Sequence, residues 1–153
     1  MQATIRRMRR EDVEEVEALF QAYMEIRASR RKTILESLRS EDFEILVAEL
    51  EGKVIGMAHQ IFYTDPLHAG QCSNILFLYV AEPFRRQGIA KLLLRRTVDS
   101  AIGRNVLEVH VSTRAENLAA IGLYKELGFE HAGPLFEYSP NEHTDASSKA
   151  ASS

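Results

Sequence analysis

The sequence predicts a mixed α/β fold, with about four helices around a central mixed sheet of six to seven strands. Three observations predict this class. An unbroken apolar and aromatic run, Ile75–Val80, indicates a buried strand. An amphipathic helical pattern follows over Ile89–Ile102, and another short strand is predicted over Val106–Val111. Because a strand, a helix and a strand in this order form a crossover unit, the two strands should be parallel neighbours.

The N-terminal part of the chain predicts a short strand and two helices. The strand covers residues 3–8. Asp12 and Glu15 have the spacing of a capping box, and apolar residues then recur at helical spacing, which predicts a helix over roughly residues 12–25. The polar and basic segment 24–40 is predicted to form a loop and then a second, short helix.

A β-hairpin is predicted next. Its strands are Phe43–Leu50 and Val54–Tyr63, joined at Gly52, which can adopt the positive φ of a tight turn. The segment Thr64–Ser73 contains Pro, Gly and Asp and is predicted to be a loop. The histidines of the chain lack the spacing of metal ligands, so no metal is predicted.

The turn between the Ile75–Val80 strand and the following helix is suited to binding an anion. A helix N-terminus carries unpaired N–H groups and a partial positive charge. Gly88 allows a ligand to approach the main chain, and Ala90 is nearly as small. Arg85 and Arg86 add positive charge, so the turn favours a phosphate or a diphosphate. The spacings of a Walker loop and of the dinucleotide fingerprint are absent.

The C-terminal part predicts one more helix and a terminal hairpin. In the Val106–Val111 strand, Glu108 and His110 share a face. The helix covers residues 117–129, with Asn117 as its N-cap and a glycine-terminated end before Phe129. The hairpin is expected around residues 132–134. Residues 140–153 have no apolar pattern and are predicted to be a disordered tail, which leaves residues 1–139 as one domain.

The composition excludes several classes of protein. The chain has 153 residues, 45% of them hydrophobic, and a net charge of −3, which argues against a dedicated nucleic-acid binder. No apolar run approaches the roughly 20 residues of a membrane span. The single cysteine, Cys72, excludes an internal disulfide. A cytoplasmic protein is therefore expected, and a homodimer is a further expectation.

Two motifs together resemble the GNAT family of N-acetyltransferases. The run Arg85-x-x-Gly88-x-Ala90, placed after a strand, is similar to that family's acyl-CoA diphosphate loop. A second run, which begins at Asn117 and includes Tyr124, is similar to the family's other signature and follows in the family's order. The resemblance spans Ile5 to about Tyr138. It implies a twisted acyl-CoA N-acyltransferase sheet, antiparallel at first and opened where the Asn74 and Val106 strands splay apart to admit acyl-CoA.

The resemblance also implies which residues bind acetyl-CoA as co-substrate. Tyr124 would be the general acid that protonates the departing thiolate, and Asn117 would hold the pantetheine arm or cap its helix. Main-chain groups near the end of the strand would bind the thioester carbonyl. The remaining expected contacts are Leu78, Tyr79, Val80, Arg85, Arg86, Gln87, Gly88, Ile89 and Ala90.

The sequence specifies the general base and the acceptor less closely than it specifies the acetyl-CoA site. A lysine-like amine has a pKa near 10.4, so only about one molecule in 10³ is neutral at pH 7. Glu108, working through water as in some family members, is the predicted catalytic base; His110 and proton loss to water are the alternatives. The basic residues 27–32 would suit an acceptor that bears a carboxylate, such as an amino acid or a peptide.

The sequence therefore predicts an acetyl-CoA-dependent N-acetyltransferase that acts on a primary amine of a small molecule or peptide by direct attack. The alternative is a non-catalytic acyl-CoA-binding or sensing domain with the same fold. Both alternatives predict affinity for CoA, and only the first predicts that loss of the Tyr124 hydroxyl slows turnover.

Overall fold

The computed structural model describes residues 2–138 and residue 140, and it confirms the mixed α/β class. The strands are β1 (Thr4–Arg7), β2 (Phe43–Leu50), β3 (Lys53–Asp65), β4 (Gly70–Val80) and β5 (Val109–Val111). The helices are α1 (Val13–Tyr23), α2 (Arg31–Ser37), α3 (Ile89–Gly103) and α4 (Leu118–Glu126), with 3-10 turns at Arg10–Asp12 and Glu82–Phe84.

The strands form one mixed sheet in the order β1-β2-β3-β4-β5. Neighbours from β1 to β4 are antiparallel, and β4 and β5 are parallel. Helix α3 connects the parallel pair, as the strand–helix–strand pattern predicts. The parallel pair is short because β5 contributes only residues 109–111 and not the predicted 106–111.

Helices cover both faces of the sheet, and each face has its own apolar core. Val16 and Leu19 of α1 pack with Val47 and Met57 on one face. On the other face, Leu93 of α3 packs with residues of the three central strands, which include Leu46, Ala48, Ile55, Ala58 and Val80. The end of β4 and the beginning of α3 are therefore held together by the same buried cluster.

Asp12 does not cap α1, so the predicted capping box is wrong. The buried Asp12 carboxylate accepts hydrogen bonds from the Arg6 guanidinium at 2.7 and 2.9 Å and from the Arg9 amide at 2.7 Å. Glu15 accepts a hydrogen bond from the amide of Val54 at 2.9 Å. Glu15 thus joins α1 to β3, which is distant in the chain, whereas Asp12 binds donors three and six residues before it and so is not available to the amides of α1.

Three other expectations need correction. The predicted loop Thr64–Ser73 belongs mostly to β3 and β4, which leaves only residues 66–69 as the connection. The sheet has five strands in the described part of the chain, and not six to seven. The difference is the terminal hairpin, since residues 129–138 contain no strand.

The predicted tail, residues 140–153, lies outside the described residues except for Pro140. The boundary of the predicted domain at residue 139 therefore stays a prediction. Within the part of the chain that the structure describes, none of the helices combines the length and the apolar character that a bilayer span requires.

Candidate active site

The sheet opens between β4 and β5 because their pairing stops early. Ser73, Asn74 and Ile75 pair with Val109, His110 and Val111, and β4 then continues to Val80 without β5 beside it. At the same point β4 contains a bulge, since Ile75 pairs with Gln60, Phe77 pairs with His59, and Leu76 has no partner. A bulge bends a strand and increases its twist, which widens the gap.

The bulge also decides which main-chain groups face the gap. The Ala81 amide donates to the carbonyl of Ile55 at 2.9 Å. Because hydrogen bonds alternate along an antiparallel pair, Tyr79 and Phe77 also bond to β3, whereas Leu78 and Val80 direct their N–H and C=O groups into the gap. The carbonyl of Val80 supports this, since it accepts a hydrogen bond from Nε of Arg85 at 2.9 Å.

The turn before α3 presents a row of free amides beside the same gap. Gly88, the N-cap, has φ +79°, and Arg86 also has positive φ, at +62°. Alternating signs of φ turn successive N–H groups toward one concave surface. The first hydrogen bond of α3 runs from the Leu92 amide to the Gly88 carbonyl at 3.0 Å, and the amides of residues 86–91 have no acceptor within the described chain.

Space and charge at this turn suit an anionic ligand. A cavity of about 340 Å³ adjoins the beginning of α3, on the side of the helix that faces β1 and β2. Its lining consists of Gln2, Ala3, Leu50, Gln87, Gly88, Ile89, Lys91, Leu92 and Arg95. A Cβ added at Gly88 would have no protein atom within 4 Å, so the space there is open. Ile89 is buried and Ala90 is half-buried, so their side chains anchor the beginning of the helix in the core beside Val80.

The two arginines of the turn differ. Arg85 folds back on β4, where its guanidinium lies 5.1 Å from the centre of the Tyr79 ring in addition to its bond to the Val80 carbonyl. Arg86 is exposed and has no ion pair or hydrogen bond within the described chain. Arg85 is therefore held by the protein itself, and Arg86 is the arginine that is free for a ligand.

Tyr124 lies on α4, whose two ends are formed as predicted. The Asn117 side chain accepts a hydrogen bond from the Ala120 amide at 3.1 Å. At the other end Gly128 has φ +92°, and the Phe129 amide bonds to the carbonyl of Tyr124 at 2.9 Å, as in a Schellman motif. These ends fix the position of the half-buried Tyr124.

The surroundings of Tyr124 favour its protonated form. Burial, and then the nearby hydroxyl of Tyr23, raise the pKa of Tyr124 above its usual value. Tyr23 packs edge-on against the rings of Phe77 and Tyr79 on β4, with centroids 5.0 and 5.9 Å apart. Tyr23 thus contacts the part of β4 that β5 does not pair with, and it also contributes to the raised pKa of Tyr124.

Glu108 lies at the other end of the β4–β5 pair. Its Oε2 is 3.2 Å from Nε2 of His68 and 3.0 Å from Nε2 of His110. Because Ser73 pairs with Val109, Glu108 is level with Cys72. Leu78 is then about 20 Å away at roughly 3.3 Å per strand residue. Sequence alternation places Glu108 on a sheet face, but only the register shows this separation from Leu78 and from the gap.

The neighbours of Glu108 have the chemistry of metal ligands. His68 also contacts Asp65 at 2.5 Å, a hydrogen bond that raises the pKa of His68. Ligand atoms of Asp65, His68 and Cys72 lie within 4.8 Å of one another. The predicted absence of a metal therefore stays a prediction.

Sequence reasoning missed two features of the site. The bulge at Leu76 lies inside a uniformly apolar run, where nothing in the pattern marks it. Tyr23 has the helical spacing of the apolar residues of α1, which predicts a buried side chain, yet 58% of its surface is exposed. Its position at the last residue of α1 was the available signal, because a helix end facing a loop is often solvent-exposed.

A mixed sheet that opens between two parallel strands, with an amide-rich helix start beside the opening, defines the acyltransferase class that the sequence motifs predict. Comparison with known proteins agrees. The sequence model of the acetyltransferase (GNAT) family matches residues 4–129. The chain belongs to this family.

Individual relatives are similar over part or all of the fold. Human N-acetyltransferase 8 is 37% identical over 90 residues, which cover 59% of this chain and 40% of the human protein. The chain thus matches less than half of the length of that relative. Among solved structures, a putative acetyltransferase from Agrobacterium tumefaciens has a TM-score of 0.82 at 19% identity, and the match covers 89% of this chain and 99% of that one.

A second solved structure contains a ligand. It is the aminoglycoside acetyltransferase AAC(6')-Iy in complex with a bisubstrate analogue built on CoA, with a TM-score of 0.80 and 20% identity, and the match covers 91% of this chain and 98% of that one. At this level of identity the likeness concerns the fold.

Proposed function

We propose that the protein transfers an acetyl group from acetyl-CoA to a primary amine of a small molecule or peptide. The observation that carries this proposal is the row of free amides at residues 86–91 beside the β4–β5 gap. A diphosphate suits such a row, since each N–H can donate to a phosphate oxygen and the helix dipole adds positive charge. Arg86 and Gln87 would add side-chain contacts.

The thioester would then lie in the gap, where two steps of acyl transfer need protein groups. The amine attacks the carbonyl carbon, and the negative charge that develops on the carbonyl oxygen is stabilised by the main-chain N–H groups of Leu78 and Val80. When the tetrahedral intermediate collapses, the C–S bond breaks, and Tyr124 donates its proton to the leaving thiolate. Asn117 would contact the pantetheine arm through the part of its amide that does not cap α4.

The attacking amine must be neutral, and water is the base in this proposal. Glu108 has no role in the proposed mechanism, because it lies about 20 Å from the Leu78 amide and contacts two histidines. The predicted catalytic role of Glu108 therefore has no support in this geometry. The cytoplasmic location and the homodimer remain predictions alongside this proposal.

Two glycines of the chain provide a matched test of the diphosphate site. Gly88 and Gly52 have φ +79° and +78°, and neither would have a protein atom within 4 Å of an added Cβ. Alanine at either position should therefore cost a similar amount of stability, roughly 1 kcal/mol from the left-handed backbone. Only Gly88→Ala places a methyl group where the diphosphate would bind.

Calorimetric titration with CoA, combined with chemical denaturation, separates the two effects. We expect Gly88→Ala to raise the Kd for CoA at least about tenfold, because one misplaced methyl group blocks several amide contacts at once. Gly52→Ala should leave the Kd unchanged. Equal CoA affinity in both variants, or no CoA binding by the parent protein at millimolar concentration, would contradict the proposed site.

A further inference from the structure

We propose that the acceptor is a primary amine that carries both a large apolar or aromatic group and a carboxylate, as an aromatic amino acid does. This inference rests on the proposed function and specifies its substrate class. The acceptor would bind on the face of β4 opposite α3, on a surface formed by Phe20, Tyr23, Phe77 and Tyr79, called here the aromatic surface.

The two faces of β4 at the gap are chemically different. Leu78 and Val80 pack with Ile89 at the beginning of α3, on the face where the amides of the turn lie. Phe77 and Tyr79 pack on the other face, against the core that α1 forms. A co-substrate bound at α3 therefore reaches the gap from one face, and the opposite face with the aromatic surface is left for the acceptor.

The aromatic surface has the geometry of a ring-binding site. The Phe77 ring lies 4.7 Å from that of Phe20 and 5.9 Å from that of Tyr79, and Tyr23 stands edge-on to Phe77 with an interplanar angle of 84°. Tyr23 is 58% exposed, so its ring can contact a further apolar group. Rings packed edge to face are a favourable arrangement that an added ring can extend.

Exposed apolar residues continue this surface into the next loop. Met24 and Ile26 lie one and three residues after Tyr23 and are 52% and 43% exposed. Neighbouring exposed apolar side chains on a folded protein often mark a binding site. Tyr23 also contributes to the raised pKa of Tyr124, the proposed proton donor.

The charge of the same loop selects for an anionic group on the acceptor. Residues 24–32 contain four basic residues and one acidic residue, Glu25. Arg30 bonds to Gln21 and to the Met24 carbonyl, Arg31 pairs with Glu14, and Lys32 pairs with Glu36. Arg27 has no ion pair or hydrogen bond among the described residues, so its charge is free for a carboxylate.

The same charges disfavour a polycationic acceptor such as an aminoglycoside. The guanidinium of Arg30 lies 6.0 Å from the centre of the Phe20 ring, and that of Arg85 lies 5.1 Å from the centre of Tyr79. Two rings of the aromatic surface thus already contact the protein's own cations, whereas the exposed Tyr23 ring has no cation over it among the described residues. An acceptor with several ammonium groups would be repelled by these arginines, and residues 24–32 offer it one acidic side chain, Glu25, against four basic ones.

Four acceptors test the inference with the full chain and acetyl-CoA. L-phenylalanine has both groups, phenethylamine lacks the carboxylate, L-alanine lacks the ring, and neamine is polycationic. Release of CoA gives kcat/KM for each. We expect L-phenylalanine to exceed each of the others at least about tenfold, the discrimination that one missing binding group commonly produces.

Two variants connect this preference to named residues. Arg27→Ala should lower kcat/KM for L-phenylalanine about tenfold and leave kcat/KM for phenethylamine unchanged. Tyr23→Leu should reduce the ratio of kcat/KM for L-phenylalanine to kcat/KM for L-alanine. Arg10→Ala is the control, since it removes an exposed arginine at the other end of α1. It should change neither the preference for the carboxylate nor the preference for the aromatic ring. Retained preference in Arg27→Ala and Tyr23→Leu would overturn the assignment of these residues.

Failure of the inference and failure of the proposed function give different results. Acetylation of all four acceptors at similar rates, or fastest acetylation of neamine, would overturn the inference while the transferase activity stands. CoA binding without release of CoA from acetyl-CoA by any of the four would reject both, and would favour the non-catalytic acyl-CoA-binding alternative.

Discussion

The Tyr124 hydroxyl combines two properties that a proton donor needs. It is half-buried, and burial raises its pKa, so it stays protonated across the neutral and mildly alkaline range. Both ends of its helix are fixed by capping interactions, which limits its movement. The charge of a thiolate at this position would be neutralised by the Tyr124 proton.

Removal of that hydroxyl should slow turnover without weakening nucleotide binding. We expect Tyr124→Phe to lower kcat by roughly 10²–10⁴, the usual contribution of a general acid, and to leave the Kd for CoA within about twofold. Steady-state rates and calorimetry measure the two quantities.

Tyr63→Phe is the matched control for this substitution. Tyr63 also has a raised pKa, but its hydroxyl lies 3.2 Å from Nδ1 of His110, in the cluster around Glu108. Its loss should leave kcat unchanged. An unchanged rate in Tyr124→Phe would remove Tyr124 from the mechanism.

Individual residues were predictable from the sequence where their conformation is set locally. Gly88 adopts positive φ and Asn117 caps its own helix, and both requirements are visible within a few residues of sequence. Glu108 is the contrasting case. Its distance from the gap depends on the pairing of Ser73 with Val109, a long-range contact that local spacing does not encode.

Among the elements, β4 contributes most to the candidate site, mainly because of its bulge. Sequence alternation alone would turn Phe77 and Tyr79 to the same face as Ser73 and Ile75. The unpaired Leu76 reverses this, so Phe77 and Tyr79 face α1 while Leu78 and Val80 face α3. One inserted residue thus separates the aromatic surface from the nucleotide side.

Deletion of Leu76 tests whether the bulge opens the gap. The faces of Phe77 and Leu78 would be retained, since β4 would pair regularly with β3, but the strand would lose its bend and could continue alongside β5. We expect kcat/KM for acetyl-CoA to fall at least about 10²-fold, because displacements near 1 Å at reacting groups have effects of this size.

The control for this deletion keeps the bulge and removes most of the side chain. Leu76 is 51% exposed, so Leu76→Ala should retain the fold and nearly full activity. Circular dichroism verifies folding of both variants. Full activity in a folded Leu76 deletion would show that the bulge is not needed for the gap.

The β3–β4 connection shows why polar strands escape prediction. Residues 64–73 contain Pro, Gly and Asp, which indicate a loop, yet β3 runs to Asp65 and β4 begins at Gly70. The main chain of this segment is held in a strand from both sides, since Gly70 pairs with Asp65 and the Gln71 carbonyl accepts a hydrogen bond from the Leu107 amide at 2.8 Å. Long-range hydrogen bonding therefore overrides the local preference of this segment.

At the scale of the whole molecule, an ion-pair network links the N-terminus to the sheet. Arg6 of β1 bonds to the buried Asp12 before α1 and to Glu49 of β2, with the closest contacts at 2.7 and 2.6 Å. The guanidinium holds the pKa of Asp12 below its ordinary value. Its stabilising effect is therefore present at neutral pH and is lost as the pH falls through the lowered pKa.

Asp12→Ala should consequently destabilise the fold in a pH-dependent way. We expect a loss of about 2–3 kcal/mol in the free energy of unfolding at pH 7, because one partner of a largely buried pair is removed. The difference from the parent protein should begin to shrink as the pH falls below about 4, where Asp12 of the unfolded chain takes up a proton, and should disappear at lower pH, as the pH falls through the lowered pKa of folded Asp12. Urea denaturation at several pH values measures both effects.

Glu11→Ala is the adjacent control. Glu11 is exposed and lies 4.0 Å from Arg9, so its removal should cost less than about 1 kcal/mol at any pH. A loss in Asp12→Ala that stays constant from pH 7 to pH 3 would instead point to packing as the role of Asp12.

The overall class of the molecule was predictable, whereas its strand count was not. The amphipathic stripe of α3 and the apolar run before it were sufficient for a mixed fold with a parallel pair. The segment after Phe129 has apolar residues on both sides of Gly133 and Pro134, but Leu135 and Phe136 are exposed and form no strand in the described structure. Apolar residues beside a turn predict a strand only where a partner strand is available.

The reversal of β4 at Leu76 has a consequence for how specificity can change. In the proposed function, the two substrates bind on opposite faces of the sheet and meet only at the gap between β4 and β5. Substitutions around Tyr23 and the loop after it can then alter the choice of amine without touching the turn before α3. The specificity for the amine and the specificity for the acyl donor can therefore change independently, both in evolution and in protein design.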